Sequence, residues 1–370
     1  MNTRLNAIVL GSIIVLMFTP SHALRASDAD SPEAKLLEIR MIWDKSPNND
    51  FTDLIRFKDQ WFMVFREGTD HCSANGKLRV LTSKDGEKWT SAARIAYASE
   101  GQPEQDLRDP KICVTPDGRL MLNTMVWLRP AVDGTSHQSL VYFSDDGYNW
   151  SGPHKIGDPN VWIWRATWHK SICYGIGYRK VFKGTCKTIK TFLRFYKSAD
   201  GKHWETVAAD IFKEGPPFGT RFYVISETDL VFTRDDTCYA ILRTDDYEQD
   251  DKLMSLWIGK SRSPYTEWTW KDLGIHSGGP SMMRLPDGRI LAPIRPYFKN
   301  VPSKLCWVDV ENGRLRPFLT FPAKYNLRYS GMVLHDGLLW ISYPSSKPNG
   351  KMSIYLAKVK IEPRGARASE

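Results

Sequence analysis

FSDDGYNW, residues 143–150, combines a serine, an Asp-Gly turn signal and a tryptophan three residues after the glycine. The same pattern, S-x-D-G-x-x-W, occurs again in residues 83–89 and in residues 198–204. Aspartate and serine oxygens accept hydrogen bonds from turn amides, glycine supplies a positive φ, and tryptophan can fold back as an apolar plug. Each copy is therefore predicted to lock an outer turn between two strands and to take no part in catalysis or metal binding.

A second series of turns lies between these copies. Six segments have the pattern of a strand, a two-residue polar turn and another strand: RFKDQWFMVF, TPDGRLML, TWHKSICYGI, TRDDTCYAIL, LPDGRILAPI and LHDGLLWISY. Their centres fall near residues 59, 118, 170, 236, 288 and 337, and a second turn signal follows each one, the last at Asn349-Gly350. Two hairpins in each of six repeats predict an all-β fold, a six-bladed β-propeller of four-stranded antiparallel blades.

The two ends of the chain are expected to lie outside this ring. Residues 1–23 have an early Arg4, an apolar run and a small-x-small ending, which is the pattern of a cleaved signal peptide. We expect a lead-in over residues 24–40, the propeller over residues 41–362 and a tail over residues 363–370. The mature protein is then expected to be secreted or periplasmic, with no stable membrane insertion, since no apolar run is long enough to span a bilayer.

Composition restricts the partners. The net charge of +9 favours an anionic partner, but the basic residues are dispersed among 42 acidic ones, so nucleic acid is not expected. No C-x-x-C or H-x-x-x-H spacing indicates a metal, and no cofactor is predicted. The six cysteines are expected to be mostly buried thiols, with Cys173 and Cys186 the one pair considered for a disulfide bridge.

Counting from the inner turns brings several polar residues to one height. Glu227 lies eight residues before Asp235 and Arg243 eight residues after it, so their side chains are predicted to be neighbours. Asp109, Arg295 and Tyr329 lie seven to nine residues from their own turns, which is the length of a full strand. One face of the propeller is therefore predicted to collect these side chains, because burying such charges without a purpose is costly.

From about residue 45 to residue 360 the chain resembles the sialidases (neuraminidases). The S-x-D-G-x-x-W copies resemble shortened Asp-boxes, SETDLVFTRDDTCYAILR resembles the segment that pairs a glutamate with the second arginine of that family, and APIRPY and RYSGMVLHDG resemble the strands bearing the third arginine and the tyrosine nucleophile. The resemblance implies an exo-α-sialidase that acts with retention on sialylated or other acidic glycans. It assigns Tyr329 as the nucleophile, Glu227 as its base, and Arg243 and Arg295 as ligands of the substrate carboxylate.

The chain departs from the family in its first inner strand. NNDFTDLIRF contains no R-I-P-like tripeptide, so the first arginine of the triad must come from elsewhere. Arg66 is the replacement that we expect, with Arg108 and Arg165 as alternatives. Asp70, in the loop that leaves the first hairpin, is the expected acid/base, with Asp109 in reserve.

Three other functions remain open at this stage. A furanosidase-like propeller is also compatible with Asp50 or Asp53, the R-D-P triplet at residues 108–110 and Glu227. That group is expected to have five blades, whereas the turns of this chain predict six. A hydrolase of a different acidic sugar would account for the missing arginine. A secreted, non-catalytic glycan-binding propeller would keep the fold and a basic pocket without activity.

Overall fold

A computed structural model describes residues 33–98, 104–179, 192–213, 223–246, 254–297, 301–346 and 350–362. These residues form 24 strands in six four-stranded antiparallel sheets, as the turn signals predicted. The sheets are the blades of a β-propeller, and the first strands of the blades lie next to one another around the ring axis. None of the described residues form a helix long and apolar enough to cross a bilayer.

Each of the first three blades is continuous in sequence, and its strands follow one another from the ring axis outward. The strands of blade 1 are β2 (Asn48–Phe57), β3 (Gln60–Gly68), β4 (Lys77–Ser83) and β5 (Thr90–Ile95). The strands of blade 2 are β6 (Asp106–Val114), β7 (Leu120–Val132), β8 (Thr135–Ser144) and β9 (Ser151–Ile156). The strands of blade 3 are β10 (Val161–His169), β11 (Ile172–Arg179), β12 (Leu193–Ser198) and β13 (Glu205–Ala208).

The last three blades include the strand that closes the ring. The strands of blade 4 are β14 (Tyr223–Phe232), β15 (Thr237–Asp246), β16 (Ser255–Arg262) and β17 (Thr269–Asp272). The strands of blade 5 are β18 (Met283–Arg284), β19 (Ile290–Ile294), β20 (Lys304–Asp309) and β21 (Arg314–Thr320). The strands of blade 6 are β22 (Gly331–His335), β23 (Leu338–Ser346), β24 (Met352–Ile361) and β1 (Ala34–Trp43).

Blade 6 corrects two expectations. Residues 34–40, expected to be part of a lead-in, belong to β1, which pairs antiparallel with β24 as the outer strand of the blade. The connection that contains Gly350 therefore joins the second and third strands of this blade, β23 and β24, whereas the outer turn signals of the other blades lie between the third and fourth strands. Asn349 lies outside the described residues. The physical reason is closure of the ring. β1, which directly precedes blade 1 in sequence, is the outer strand of blade 6 and therefore links blade 6 to blade 1.

The core lies between the blades. Six clusters of buried apolar side chains fill the spaces between adjacent sheets. Middle strands are covered on both faces and are almost continuously buried, as in β3, whereas the outer strand β5 is largely exposed. Each blade thus needs its neighbours to bury its faces, and the ring is stable only as a whole.

The three S-x-D-G-x-x-W turns join the third and fourth strands of blades 1, 2 and 3, at the outside of the ring. In blade 2, Ser144 Oγ accepts a hydrogen bond from the Gly147 amide (2.8 Å), and Asp146 Oδ1 accepts from two further turn amides at 2.8 Å each. The Trp150 indole donates back to the Gly147 carbonyl (3.1 Å). The other two copies make the same bonds, so these side chains stabilise the turns.

The cysteines of the described residues are free thiols. Cys173 is fully buried and unbridged, whereas Cys186, the one partner considered for it, lies outside the described residues.

Candidate active site

The inner strands of blades 1 to 4 share a β-bulge at the same height. Their registers shift at residues 50–53, 108–111, 163–166 and 225–228. Phe51 and Asp109, inside two of these bulges, have positive φ angles of 61° and 52°, and Tyr329, just before the inner strand of blade 6, has a φ of 50°. A non-glycine residue in this region costs on the order of 1–3 kcal/mol and is typical of functional sites. The common height predicted by counting from the turns is thus a ring of bulges and left-handed residues.

Tyr329 and Glu227 meet at this height from blades 6 and 4. The Tyr329 phenol donates a hydrogen bond of 3.0 Å to Glu227 Oε1, and the two residues are only 8% and 7% exposed. Burial and the nearby Glu227 carboxylate raise the pKa of Tyr329 well above its usual value. The phenol is therefore neutral near pH 7, with its proton directed at a carboxylate that can accept it.

Gly279 connects the side chain of Glu227 to the backbone of Tyr329. Its amide donates to Glu227 Oε2 at 2.7 Å, and its carbonyl accepts from the Tyr329 amide at 3.2 Å. Gly279 has a φ of 65°, and a Cβ at this position would lie 2.5 Å from the Tyr329 nitrogen. Only glycine permits this close approach, so the sequence at residue 279 fixes the relative position of Glu227 and Tyr329.

Arg243 lies beside Glu227, as the count from their shared turn predicted. Its Nη1 is 2.9 Å from Glu227 Oε1, and its Nε is 2.9 Å from Asp245 Oδ2. Asp245 is held in turn by His276 Nε2 at 3.0 Å. The positive charge of Arg243 is thus shared between two protein carboxylates.

Arg295 lies near Arg243 but has no such neutralisation. Its guanidinium carbon lies 4.0 Å from the centroid of the Tyr297 ring, over which Arg243 also lies at 5.3 Å. The ion pairs among the described residues do not include Arg295, and its buried Nε has no hydrogen-bond partner there. A half-buried, unmatched guanidinium on an aromatic ring is suited to binding an anion.

Blade 1 presents a carboxylate in place of an arginine. Asp50 is fully buried, and its Oδ2 accepts hydrogen bonds from Arg328 Nη2 (2.7 Å) and lies 3.1 Å from His71 Nδ1. Burial alone would raise the pKa of Asp50, but the Arg328 charge and the His71 hydrogen bond outweigh it, and the pKa is lowered. Phe51, next in sequence, packs edge-on against Tyr329 with 4.7 Å between ring centroids.

Blade 2 contributes Arg108 and Asp109. Both are almost fully buried, at 4% and 1% exposure, and Arg108 Nε lies 3.9 Å from Asp109 Oδ2. The Arg108 guanidinium also lies 5.2 Å from the centroid of Phe51. The Asp109 carboxylate contributes to the raised pKa of Tyr329, so it belongs to the same cluster of charges.

Arg66, the expected replacement for the missing arginine, is placed elsewhere. Its side chain is fully buried, with Nε 2.7 Å from Asp106 Oδ1, Nη1 donating to the Asp70 carbonyl and Nη2 donating to Ser73. These bonds use the guanidinium to hold the loop between β3 and β4. The structure therefore does not bring Arg66 to the site, because burial of a charge requires that its N–H groups be satisfied by the protein.

Asp70 and Arg165 are likewise occupied by the protein. The Asp70 side chain is exposed and accepts a hydrogen bond of 2.6 Å from the amide of His71. Arg165 lies between Asp53 (2.8 Å) and Asp229 (3.1 Å), a pairing that links blades 1, 3 and 4. Neither contact places these residues against Tyr329 or Glu227.

Sequence reasoning gave no role to four residues that the structure adds to the site: His71, Arg328, Tyr297 and Gly279. Arg328 directly precedes the expected nucleophile and Tyr297 follows Arg295 by two residues, so proximity to a predicted site residue was the available signal. Among the described residues, groups of three or more metal-ligating side chains are absent.

No protein-family profile matches this chain, and a search of curated proteins by sequence finds no match. Among solved structures, a protein of unknown function from Dyadobacter fermentans is 20% identical with a TM-score of 0.72, over 90% of this chain and 100% of its own. An α-L-arabinanase from Penicillium chrysogenum complexed with arabinobiose is 14% identical with a TM-score of 0.64, over 87% and 98% of the two chains. A Trypanosoma rangeli sialidase in complex with sialic acid is 12% identical with a TM-score of 0.62, over 90% of this chain and 59% of its own.

At these identities the comparisons show a shared six-bladed fold. They also correct one expectation, because the arabinan-degrading neighbours have six blades as well, and blade number does not separate them from sialidases.

Proposed function

We propose that this protein is a retaining glycoside hydrolase that releases a terminal α-linked sialic acid, with Tyr329 as the nucleophile and Glu227 as its base. The observation that carries the proposal is the 3.0 Å hydrogen bond between the two buried side chains. A phenol with a raised pKa is a weak nucleophile until a base removes its proton, and Glu227 Oε1 is positioned to do so.

The charge of the substrate explains why a tyrosine suits this role. A sialic acid carries its carboxylate on the anomeric carbon, where an anionic aspartate or glutamate nucleophile would be repelled. Arg295, which has no carboxylate partner in the described structure, supplies an unmatched positive charge near the Tyr329–Glu227 pair. Arg243 also lies over the Tyr297 ring, at 5.3 Å, and adds a second guanidinium at this place.

The missing first arginine lowers the number of guanidinium groups that can bind the substrate carboxylate. Asp50 occupies the blade 1 side of the site, and it neutralises Arg328. Two arginines rather than three would then hold the substrate anion. An acidic sugar whose carboxylate lies elsewhere on the ring is the closest variant of this proposal.

A second function is favoured by the three buried carboxylates Asp50, Asp109 and Glu227. Carboxylates in pairs serve as nucleophile and acid in most glycosidases, and a neutral furanoside would not be repelled by them. In this alternative, Glu227 attacks the anomeric carbon, Asp109 is the acid, and Tyr329 positions Glu227. The structural similarity to an α-L-arabinanase makes an arabinofuranoside the substrate to test.

The deciding experiment measures release of a nitrophenol from an aryl α-sialoside and from an aryl α-L-arabinofuranoside by the purified protein. Turnover of the sialoside that is lost in Tyr329→Phe supports the proposal. Turnover of the arabinofuranoside alone supports the alternative. Binding of sialic acid without turnover of either substrate would make the propeller a glycan-binding module. Export by the signal peptide expected at residues 1–23 would bring the protein to glycans outside the cell.

A further inference from the structure

The loop between β3 and β4 turns one imidazole toward the site. His71 Nδ1 lies 3.1 Å from Asp50 Oδ2, and the ring packs on Phe51 with 5.2 Å between centroids. The side chain of His71 remains 44% exposed, so its other nitrogen is accessible to a substrate. His71 thus combines a fixed orientation with an open edge.

Asp50 is built to hold this imidazole. It is fully buried, and its Oδ1 accepts a hydrogen bond from the Phe51 amide (3.0 Å). Its Oδ2 lies within hydrogen-bond distance of both His71 and Arg328. The lowered pKa of Asp50 keeps it ionised, so its Oδ2 accepts a hydrogen bond from Nδ1–H of His71. Nε2 is then the nitrogen that faces away from the protein, because the partner of one ring nitrogen sets the role of the other.

One aromatic side chain, Phe51, packs against both the imidazole and the phenol of Tyr329. Phe51 contacts both rings, with 5.2 Å between its centroid and that of His71 and 4.7 Å between its centroid and that of Tyr329. Only the Phe51 ring therefore separates the imidazole from the phenol in this chain of ring contacts. A retaining mechanism needs a nucleophile and a separate acid at the scissile bond, and Tyr329 and His71 supply these two kinds of group around one ring.

We propose that His71 is the acid/base of this site and that Asp50 is its positioning residue, an inference that rests on the proposed function. As Tyr329 Oη bonds to the anomeric carbon and Glu227 takes the phenol proton, the glycosidic C–O bond breaks and the leaving oxygen takes the proton of His71 Nε2. In the second step His71 Nε2 accepts a proton from water, the water oxygen bonds to the anomeric carbon, and the Tyr329 oxygen leaves and recovers its proton from Glu227.

The charged groups around His71 suit this cycle. The Asp50 carboxylate faces Nδ1, with Arg328 behind it, and Arg108 lies over Phe51 at 5.2 Å. Asp70, the neighbour expected to be the acid, accepts a hydrogen bond from the backbone amide of His71 with its carboxylate. The first step requires the imidazolium form of His71 as proton donor, and the Asp50 carboxylate places an anion 3.1 Å from its Nδ1.

The test compares His71→Gln with a matched His203→Gln variant. His203 forms a similar pair with Asp200 (2.6 Å), but at the outer turn of blade 3, with its side chain 90% exposed. The substrates are a nitrophenyl sialoside, whose leaving group needs no proton, and sialyllactose, whose leaving group does. We expect His71→Gln to lose activity on sialyllactose by roughly 100-fold to 10,000-fold, to keep most of the first-step rate on the nitrophenyl substrate, and to lose the alkaline limb of the pH profile. His203→Gln should match the wild type, and Asp50→Asn should show a smaller loss with the same dependence on the leaving group.

Several results would overturn the assignment. Equal losses on both substrates with an unchanged pH profile would make His71 a structural residue. A leaving-group-dependent loss in Asp109→Asn, with His71→Gln unaffected, would make Asp109 the acid. If only arabinofuranosides are hydrolysed, His71→Gln is compared on a nitrophenyl arabinofuranoside and on an arabinofuranoside with a sugar leaving group. A loss confined to the sugar leaving group again supports His71 as the acid, and equal losses again exclude it. A wild type inactive on every glycoside defeats the proposed function itself, whereas an active wild type with an unaffected His71→Gln defeats only the role of His71.

Discussion

Tyr329 and Glu227, 102 residues apart in the chain, are joined by a 3.0 Å hydrogen bond between the phenol and Oε1. The backbone of Gly279 forms hydrogen bonds to both residues, its amide to the Glu227 carboxylate and its carbonyl to the Tyr329 amide. Two blades are thus held in register at one point by a third. The catalytic predictions below depend on this contact.

Replacing Tyr329 by phenylalanine should lower kcat on an aryl sialoside by roughly a thousandfold or more. Covalent catalysis loses its nucleophile, whereas the ring packing against Phe51 is retained. Glu227→Gln should show a comparable loss. Steady-state kinetics and a thermal unfolding scan check both variants. Near-normal kcat in a folded Tyr329→Phe would exclude the tyrosine nucleophile.

Replacing Arg295 by lysine should raise KM more than it lowers kcat. Loss of a charge-assisted, bidentate contact costs roughly 1.5–3 kcal/mol, which corresponds to about 10-fold to 150-fold in affinity. Arg289→Lys is the matched control, because Arg289 pairs with Asp287 at 2.7 Å at the turn of the same blade. An equal effect in both variants would argue against a carboxylate ligand at Arg295.

Replacing Gly279 by alanine should reduce both stability and kcat. The φ of 65° strains any L residue by about 1–2 kcal/mol, and the new Cβ would meet the Tyr329 nitrogen at 2.5 Å. Gly118→Ala separates the two effects, since Gly118 has a φ of 80° with open space around it. Gly279→Ala should be the less stable variant and the only one of the two with lowered kcat. Chemical denaturation and kinetics measure the difference, and identical behaviour would refute the steric explanation.

The turn aspartate of blade 1 should contribute to stability in a pH-dependent manner. Hydrogen bonds from the amides of Lys88 and Glu87, and then from Ser83, lower the pKa of Asp85 from 3.8 to about 2. A group whose pKa is lower in the folded state stabilises the fold above its unfolded pKa and loses that contribution as the pH falls, here from about 4 to about 2.

The Asp85→Asn variant should therefore lose less stability than the wild type when the pH is lowered through that range. Asp59→Asn, at a fully exposed position in the inner turn of the same blade, is the control and should follow the wild type. Unfolding midpoints recorded at several pH values provide the measurement. Parallel curves for wild type and Asp85→Asn would contradict the assigned hydrogen bonds.

The sequence by itself determined the fold and one pair of neighbours in the site, Glu227 and Arg243. Each S-x-D-G-x-x-W turn contains all of its bonding partners within seven residues, so local chemistry is enough to place it. The inner turns gave the blade count, and equal distances from one turn brought Glu227 to Arg243, because strand pairing converts sequence spacing into proximity.

Only the tertiary structure decided how the rest of the site is completed. Arg328 and Asp50 form their ion pair across 278 residues, and β1 closes blade 6 by pairing with β24. Arg66 and His71 lie five residues apart, yet Arg66 is sealed against Asp106 while His71 turns toward Asp50. The local sequence around Arg66 and His71 cannot predict these two outcomes, because the direction of each side chain depends on which carboxylate another strand brings within reach.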